Sequence, residues 1–370
     1  MRKLLLNLGI GCLVMMSACT SDDIKPSEEY MILDKVEYVK DFPIEMNLTD
    51  AQETGFDILG LLSFQITDSV MFVSRNAREG FWQFYSMNDR HLIGEMLNIG
   101  QGPNEFIFPL YDPNSITFVE DGSKLYSIFH DMVHKYVYRL DITSTLQTKE
   151  LDMQVISKDF GNNVFVLQAI DEKTFLCREM TGGNTRQERY LMSDGEKIVP
   201  VVLEKLNRAA VLEKTDDGIS FNVISAAIRK HGDIIIEAPI YLNYLNLYTL
   251  DGSISMTVCI DDRLSSISYL TTEGFFDRKQ TFTWLRAFDD FFGVIYTNLT
   301  MKEEELGSVQ TSQVMLFDYN GRPLALLNVD KPLSLFDIDF KEGALYAFCR
   351  KTDEFVKYDI NSLLVELKVK

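Results

Sequence analysis

Past residue 50 the chain is a succession of short apolar runs, four to eight residues long, rich in β-branched and aromatic side chains and cut by Gly, Asn and Asp. Few stretches carry a 3.6-residue period. Short runs separated by turn residues predict an all-β fold. One feature recurs: an aromatic or apolar residue, any residue, an apolar residue, then a turn-former. It reads Tyr85-Ser86-Met87-Asn88, Tyr138-Arg139-Leu140-Asp141, Tyr190-Leu191-Met192-Ser193, Tyr248-Thr249-Leu250-Asp251, Met315-Leu316-Phe317-Asp318 and Val356-Lys357-Tyr358-Asp359. Each marks a strand entering a tight hairpin, where Asp or Asn bonds its own backbone two residues on. Gly195, Gly252 and Gly321 follow three of the six and supply a positive φ.

Upstream of each copy lie two further apolar strands, for example Leu61–Ile66 with Val70–Val73 and Leu335–Phe340 with Ala344–Cys349. Six units of about four strands match radial repetition around a channel. The expectation is a six-bladed β-propeller with four-stranded antiparallel blades near 57–100, 112–152, 163–203, 221–261, 283–330 and 333–370. Ring closure is expected from Tyr30–Lys40 or Leu363–Lys370 as an outer strand. The copies are 53, 52, 58, 67 and 41 residues apart, so loops are inserted around Asn184, around 204–220 and around 262–282. The alternative is a two-sheet sandwich carrying six such hairpins.

The first residues follow a different pattern. Arg2 and Lys3 precede 13 mostly apolar residues, Leu4–Met16, and then Ser17-Ala18-Cys19. A basic start, a short apolar run and small residues before a cleavage point form a secretory signal peptide. The run is too short to span a bilayer, which takes about 20 residues. Ser17-Ala18-Cys19 resembles a bacterial lipobox, with Met16 in place of the more usual Leu, so Cys19 is the expected lipid attachment site. Residues 1–18 are then a signal peptide and 19–30 a polar, acidic tether with too little apolar surface to fold. Residues 31–370 form the propeller domain. An acidic cluster behind the cysteine resembles the signal that sends lipoproteins to the outer-membrane surface. The expected address is therefore the outer membrane, lipid-anchored and cell-surface exposed, with its periplasmic face as the alternative.

Charge narrows the partners. The formal net charge is −19, and losing Arg2 and Lys3 takes the mature chain to −21. Such a surface disfavours nucleic acid, whose binding depends on Lys and Arg at phosphates. It also disfavours adhesion to anionic lipid, which leaves the membrane contact to the N-terminal lipid. Cys177, Cys259 and Cys349 each sit in an apolar run, make no CxxC pair, and read as buried free thiols.

With the lipobox and the six turn repeats, one more segment carries a resemblance: Gly100-Gln101-Gly102-Pro103-Asn104-Glu105-Phe106, closing the first unit. Over residues 30–370 the chain resembles the TolB-like six-bladed β-propeller lipoproteins of bacterial envelopes, in which a G-x-G-P-x-E-F segment at this point is typical. The resemblance implies the fold and assigns no activity.

The same glycine-rich segment lacks the Lys-Ser/Thr ending of a phosphate loop and the third glycine of a dinucleotide fingerprint. Gly100, Gly102, Pro103 and Glu105 therefore read as a structural turn between blades, Glu105 bonding nearby backbone. His130-Asp131-Met132-Val133-His134 has zinc-helix spacing without its Glu and lies between strands, so no metal site is assigned. No pattern calls for a cofactor, and no nucleophile–His set stands out. Asp216-Asp217, Asp261-Asp262 and Asp289-Asp290 read as solvated loop charges.

The second strands end at comparable points: Val73-Ser74-Arg75, Ile128-Phe129-His130, Leu176-Cys177-Arg178, Ile236-Glu237-Ala238, Tyr296-Thr297-Asn298 and Phe348-Cys349-Arg350. Arg75, His130, Arg178 and Arg350 are therefore expected to line one mouth of the channel and bind an anionic group, since Arg meets carboxylates bidentately. Trp82, Trp284, Phe275-Phe276 and Phe291-Phe292 would favour carbohydrate stacking or a protein interface if exposed together. The expected function is a lipid-anchored envelope binding module for a protein, peptide or extracellular carbohydrate. The alternatives are a propeller-type glycan lyase or hydrolase at the channel mouth and a scaffold subunit of an outer-membrane complex.

Overall fold

The computed structural model describes residues 28–368 apart from 68, 159, 162, 182–185, 210–225 and 306–310. The expected signal peptide, Cys19 and most of the tether lie outside these residues. The N-terminal segment forms three short strands, β1 (Lys35–Val39), β2 (Ile44–Leu48) and β3 (Gln52–Glu53). Blade 1 is β4 (Leu61–Thr67), β5 (Val70–Arg75), β6 (Trp82–Ser86) and β7 (Leu92–Met96). A parallel pair, β8 (Asn98–Ile99) and β9 (Glu105–Phe106), leads out of it. Blade 2 is β10 (Ile116–Asp121), β11 (Lys124–Asp131), β12 (Tyr136–Asp141) and β13 (Met153–Lys158), with helix α1 (Ile142–Thr148) before its last strand.

Blade 3 is β14 (Val164–Ala169), β15 (Thr174–Thr181), β16 (Arg186–Ser193) and β17 (Glu196–Ile198), followed by α2 (Val201–Ala209). Blade 4 is β18 (Ala226–His231), β19 (Ile234–Pro239), β20 (Tyr244–Thr249) and β21 (Ser255–Ile260), followed by α3 (Ser268–Thr272). Blade 5 is β22 (Lys279–Ala287), β23 (Phe292–Thr300), β24 (Ser312–Phe317) and β25 (Pro323–Val329), with α4 (Met301–Glu305) after its second strand. Blade 6 is β26 (Leu335–Asp339), β27 (Ala344–Cys349) and β28 (Glu354–Asp359), and α5 (Asn361–Glu366) ends the described chain.

The fold is a six-bladed β-propeller of four-stranded antiparallel blades. First strands of neighbouring blades touch, β26 with β4, β10 with β14, and β18 with β22, so they surround the axis. Each hydrophobic cluster spans neighbouring blades. One joins Trp82 and Phe84 of blade 1 to Phe129 and Leu140 of blade 2, and another joins blades 5, 6 and 1. No blade buries its faces alone, so each wedge is stable only between two others. Burying one such aromatic or aliphatic side chain contributes about 1.5–3 kcal/mol. The six turn repeats all end third strands. Asp251, Asp318 and Asp359 accept the backbone N–H two residues on, at 2.9–3.0 Å. Asp141 instead accepts from Ser144 N at 2.8 Å and caps α1.

Closure differs from expectation. The outer strand of blade 6 is β3, which pairs Gln52 with Lys357 and Glu53 with Val356. Within Tyr30–Lys40, β1 lies parallel to β21 as a fifth strand on blade 4, because that blade already has four strands of its own. In the C-terminal segment Ile360, Leu363, Leu364 and Leu367 follow helical spacing, and α5 folds onto the core shared by blades 5, 6 and 1. Between the two, β2 runs parallel to β25 on blade 5. The N-terminal segment thus crosses the outer edges of blades 4, 5 and 6 in turn before entering blade 1.

Candidate functional site

Antiparallel order brings the start of every first strand and the end of every second strand to one face of the ring. Between blades 1 and 2 this face carries the loop Ile107–Pro113, and local chemistry holds it in place. Gly102 N donates to Glu105 Oε2 at 2.7 Å and Gly100 N to Phe106 O at 3.0 Å. A Cβ at Gly100 would lie 1.9 Å from that carboxylate oxygen, so a larger residue there would push Glu105 out of the turn it closes. It seats Phe106 against Phe81 and Phe129. Further along, the Leu110 carbonyl accepts from both Ser74 Oγ and Trp82 Nε1 at 2.8 Å. Blade 1 therefore pins the loop at both ends of its first half.

The pinned loop walls a cavity of about 450 Å³ at the channel mouth, closed on its other sides by Leu62 of blade 1, Met132 of blade 2, Trp284 of blade 5 and Leu335 of blade 6. Two register shifts in β22, on either side of Phe282, carry Trp284 to this level. Ile107, Phe108, Tyr111, Met132 and Val133 rim the opening with 42–51% of their surfaces exposed. Large apolar side chains grouped at a concave opening mark a binding face.

The four charged candidates separate. Arg350, one residue past β27, and His130, in β11, line the cavity. Arg75 and Arg178 do not. Arg75 ends β5, but its Nη2 reaches Glu95 Oε2 and Glu79 O and its Nε reaches Gly80 O, each at 3.1 Å. Its fork is taken up inside blade 1. Arg178 is not at a strand end, because β15 runs on to Thr181. It is fully buried, donates to Gln187 Oε1 at 2.8 Å and lies 5.2 Å from the Phe165 ring centroid. Burial lowers its pKa to about 10, against the opposing charge of Glu237.

Arg350 is exposed. Its N–H donates to Ser334 Oγ at 3.2 Å, and its Nη2 makes one long contact, 3.4 Å, to Leu62 O. Among the described residues it pairs with no carboxylate. It also lines an adjoining cavity of about 490 Å³ with Gln280, Thr297, Glu304, Lys351, Leu299 and Leu333, so it stands at the seam of an apolar chamber and a mixed one. His130 is 3% exposed, packs edge-on against Phe160, and among the described residues neither ring nitrogen has a hydrogen-bond partner. Burial lowers its pKa to about 4, so it is neutral at pH 7. Its neighbour Asp131 is occupied by Val133 N, His134 N and the His134 ring, so the two histidines face different surroundings.

Charges that the strand-end pattern did not single out sit between blades. Arg189 Nε lies 3.0 Å from both carboxylate oxygens of Glu237, joining blade 3 to blade 4 with both side chains fully buried. Burial pushes Glu237 up, but Arg189 and Arg178 outweigh it and hold it below its ordinary value. Arg286 of blade 5 meets Asp337 of blade 6 at 2.8 Å in the same way. The signal was a charge inside an apolar strand, as in Ile234-Ile235-Ile236-Glu237-Ala238.

The aromatic set does not assemble at the surface. Trp82, Phe291 and Phe292 are fully buried, and only Trp284 reaches the cavity. Cys177, Cys259 and Cys349 are free and buried, with burial raising the first two thiols to about 12.

No protein-family model matches the sequence. No curated protein matches it either. Solved structures do match in fold. A member of the DUF4221 family from Bacteroides vulgatus is 8% identical with a TM-score of 0.51, covering 81% of this chain and 91% of that one. A Bacteroides fragilis protein described as exported is 12% identical with a TM-score of 0.46, covering 92% and 96%. TolB from Acinetobacter baumannii is 14% identical with a TM-score of 0.37, covering 79% and 63%. At such identities the likeness is one of architecture alone.

Proposed function

We propose that this chain is an envelope-tethered binding module that engages its partner at the mouth face between blades 1, 2, 5 and 6. The observation that carries the reading is the 450 Å³ cavity, rimmed by five exposed apolar side chains and lined by Arg350, which pairs with no carboxylate among the described residues. An apolar opening of this size suits a ligand, or a partner's protruding group, better than it suits solvent. The envelope address rests on Leu4–Met16 and Ser17-Ala18-Cys19. Residues 19–30 would then tether blade 4, where Met31 N donates to Tyr244 Oη at 3.0 Å.

The test is site-specific photo-crosslinking in intact cells. A benzophenone side chain at position 108 or 132 is expected to label one defined species. The same group at Asp194, in a hairpin on the opposite face, is expected to label none. Equal labelling at all three positions, or none at 108 and 132, overturns the reading.

A further inference from the structure

The mouth face has an unusual division of polarity, and it narrows the chemistry of the ligand. Resting on the binding reading above, we infer that the cavity recognises a single carboxylate borne on an apolar body. The carboxylate sits on Arg350 and the body lies against Phe108, Tyr111 and Trp284.

Three observations converge on this class. Arg350 is the one permanently charged cation among the residues lining the apolar chamber, and its fork is almost unclaimed. Guanidinium presents two parallel N–H groups in the spacing of carboxylate oxygens. Asp112 and Asp131 line the same chamber. Beside these acids one cation can offset a single negative charge at most, and repulsion weighs about twice as heavily on a phosphate dianion as on a monoanion.

The second observation is His130. An imidazole 3% exposed, neutral and, among the described residues, without a partner at either nitrogen lines this chamber. A buried polar group without a partner loses free energy that a ligand hydroxyl or amide restores. The third is position. Arg350, Thr283 and Ser334 line both chambers, one walled by aromatic and aliphatic groups and the other a mixed one that sets Gln280, Thr297, Glu304 and Lys351 among Leu299 and Leu333. A ligand whose anion rests on Arg350 has its apolar part on one side and room for a polar extension on the other. That is the shape of an amphiphilic acid, whether a free acid or the C-terminus of a peptide ending in an apolar residue.

The experiment uses the mature chain and four probes: 4-phenylbutyrate, its amide, a short peptide ending in phenylalanine, and the same peptide amidated. Binding is read by calorimetry and by fluorescence, to which Trp284 reports from the cavity wall. The acid of at least one pair should bind about ten-fold or more tightly than its amide. Arg350→Ala should remove that preference while leaving amide affinity unchanged, and Arg350→Lys should restore part of it. Preference for the free acid, or for the peptide, identifies the source. Equal binding of acid and amide overturns the inference, as does an equal loss of both in Arg350→Ala. Absence of binding by all four probes also overturns it, while labelling at positions 108 and 132 would leave the binding face standing. Arg350 is exposed with a single long side-chain contact, so its replacement does not threaten the fold.

Discussion

Arg90 of blade 1 and Glu342 of blade 6 meet at 2.7 Å across the seam where the ring closes. The contact is built from both sides. Arg90 lies 4.9 Å from the Phe56 ring centroid and 5.8 Å from that of Tyr346, while Glu342 also accepts from Tyr346 Oη and Lys357 Nζ. The seam matters because β3 contributes only two residues of pairing to blade 6. Polar groups at the far face therefore reinforce a joint that the sheet itself makes weakly.

This clasp is acid-sensitive. Burial pushes the Glu342 carboxyl up, but hydrogen bonds from Lys357, Tyr346 and Arg90 outweigh it and bring the pKa down to about 2. A carboxylate with a depressed folded-state pKa contributes stability that is complete above its unfolded value, here 4.5, and is lost as pH falls towards about 2. Thermal unfolding from pH 6 to pH 2.5 should show this loss. Glu342→Gln should lower stability by about 1 kcal/mol at pH 6, as expected of a partly exposed network, and should flatten the acid limb. An unchanged acid limb in Glu342→Gln would place the sensitivity elsewhere.

The Arg189–Glu237 pair makes the opposite prediction about burial. Both side chains are fully buried between blades 3 and 4. Removing one charge strands the other, which costs about 3–5 kcal/mol. Glu237→Ala should therefore shift the urea midpoint far more than Glu342→Gln. Replacing both members by Leu and Met should recover most of the loss. If Glu237→Ala unfolds at the wild-type midpoint, the pair does not hold these blades together.

The radial repeat was readable because its unit is local. An apolar strand and its Asp or Asn turn lie within four residues, so Asp251 and Asp318 declare their hairpins without help from distant chain. The charged mouth was readable only in part. The strand-end rule placed Arg75, His130, Arg178 and Arg350 alike, yet a side chain's face depends on register, and one residue reverses it. Arg178 lies mid-strand and points into the blade 3–4 core, whereas Arg350 lies past its strand and reaches the cavity. The edge strands β1, β2 and β3 were less legible still. Their partners lie some 220, 280 and 300 residues away, as in Lys35↔Met256, Ile44↔Ala325 and Glu53↔Val356, and no local pattern encodes such pairing.

The N-terminal address has its own test. Cys19→Ala is expected to move the protein from the membrane fraction to the soluble fraction. The native N-terminus should lack residues 1–18 and carry lipid by mass spectrometry. A variant that stays membrane-bound, with Met1 still present, would refute the anchor.

The longest-range prediction concerns the segment that crosses three blades. Its own Val39 and Leu48 are buried against the blades, β1 and β2 cover the outer edges of blades 4 and 5, and β3 completes blade 6. Removing this segment would expose three sheet edges at once and leave blade 6 with three strands. Open edges pair with other chains. A chain beginning at Glu28 should fold as the longer one does, with the same circular dichroism and a single cooperative melt. A chain beginning at Thr54 should aggregate or melt broadly, and one ending at Asp330, which lacks blade 6, should do the same. The two truncations act on the same joint from opposite sides, so they should resemble each other. If the Thr54 chain melts cooperatively within a few degrees of the full domain, the crossing segment is only an attachment, and the ring closes without it.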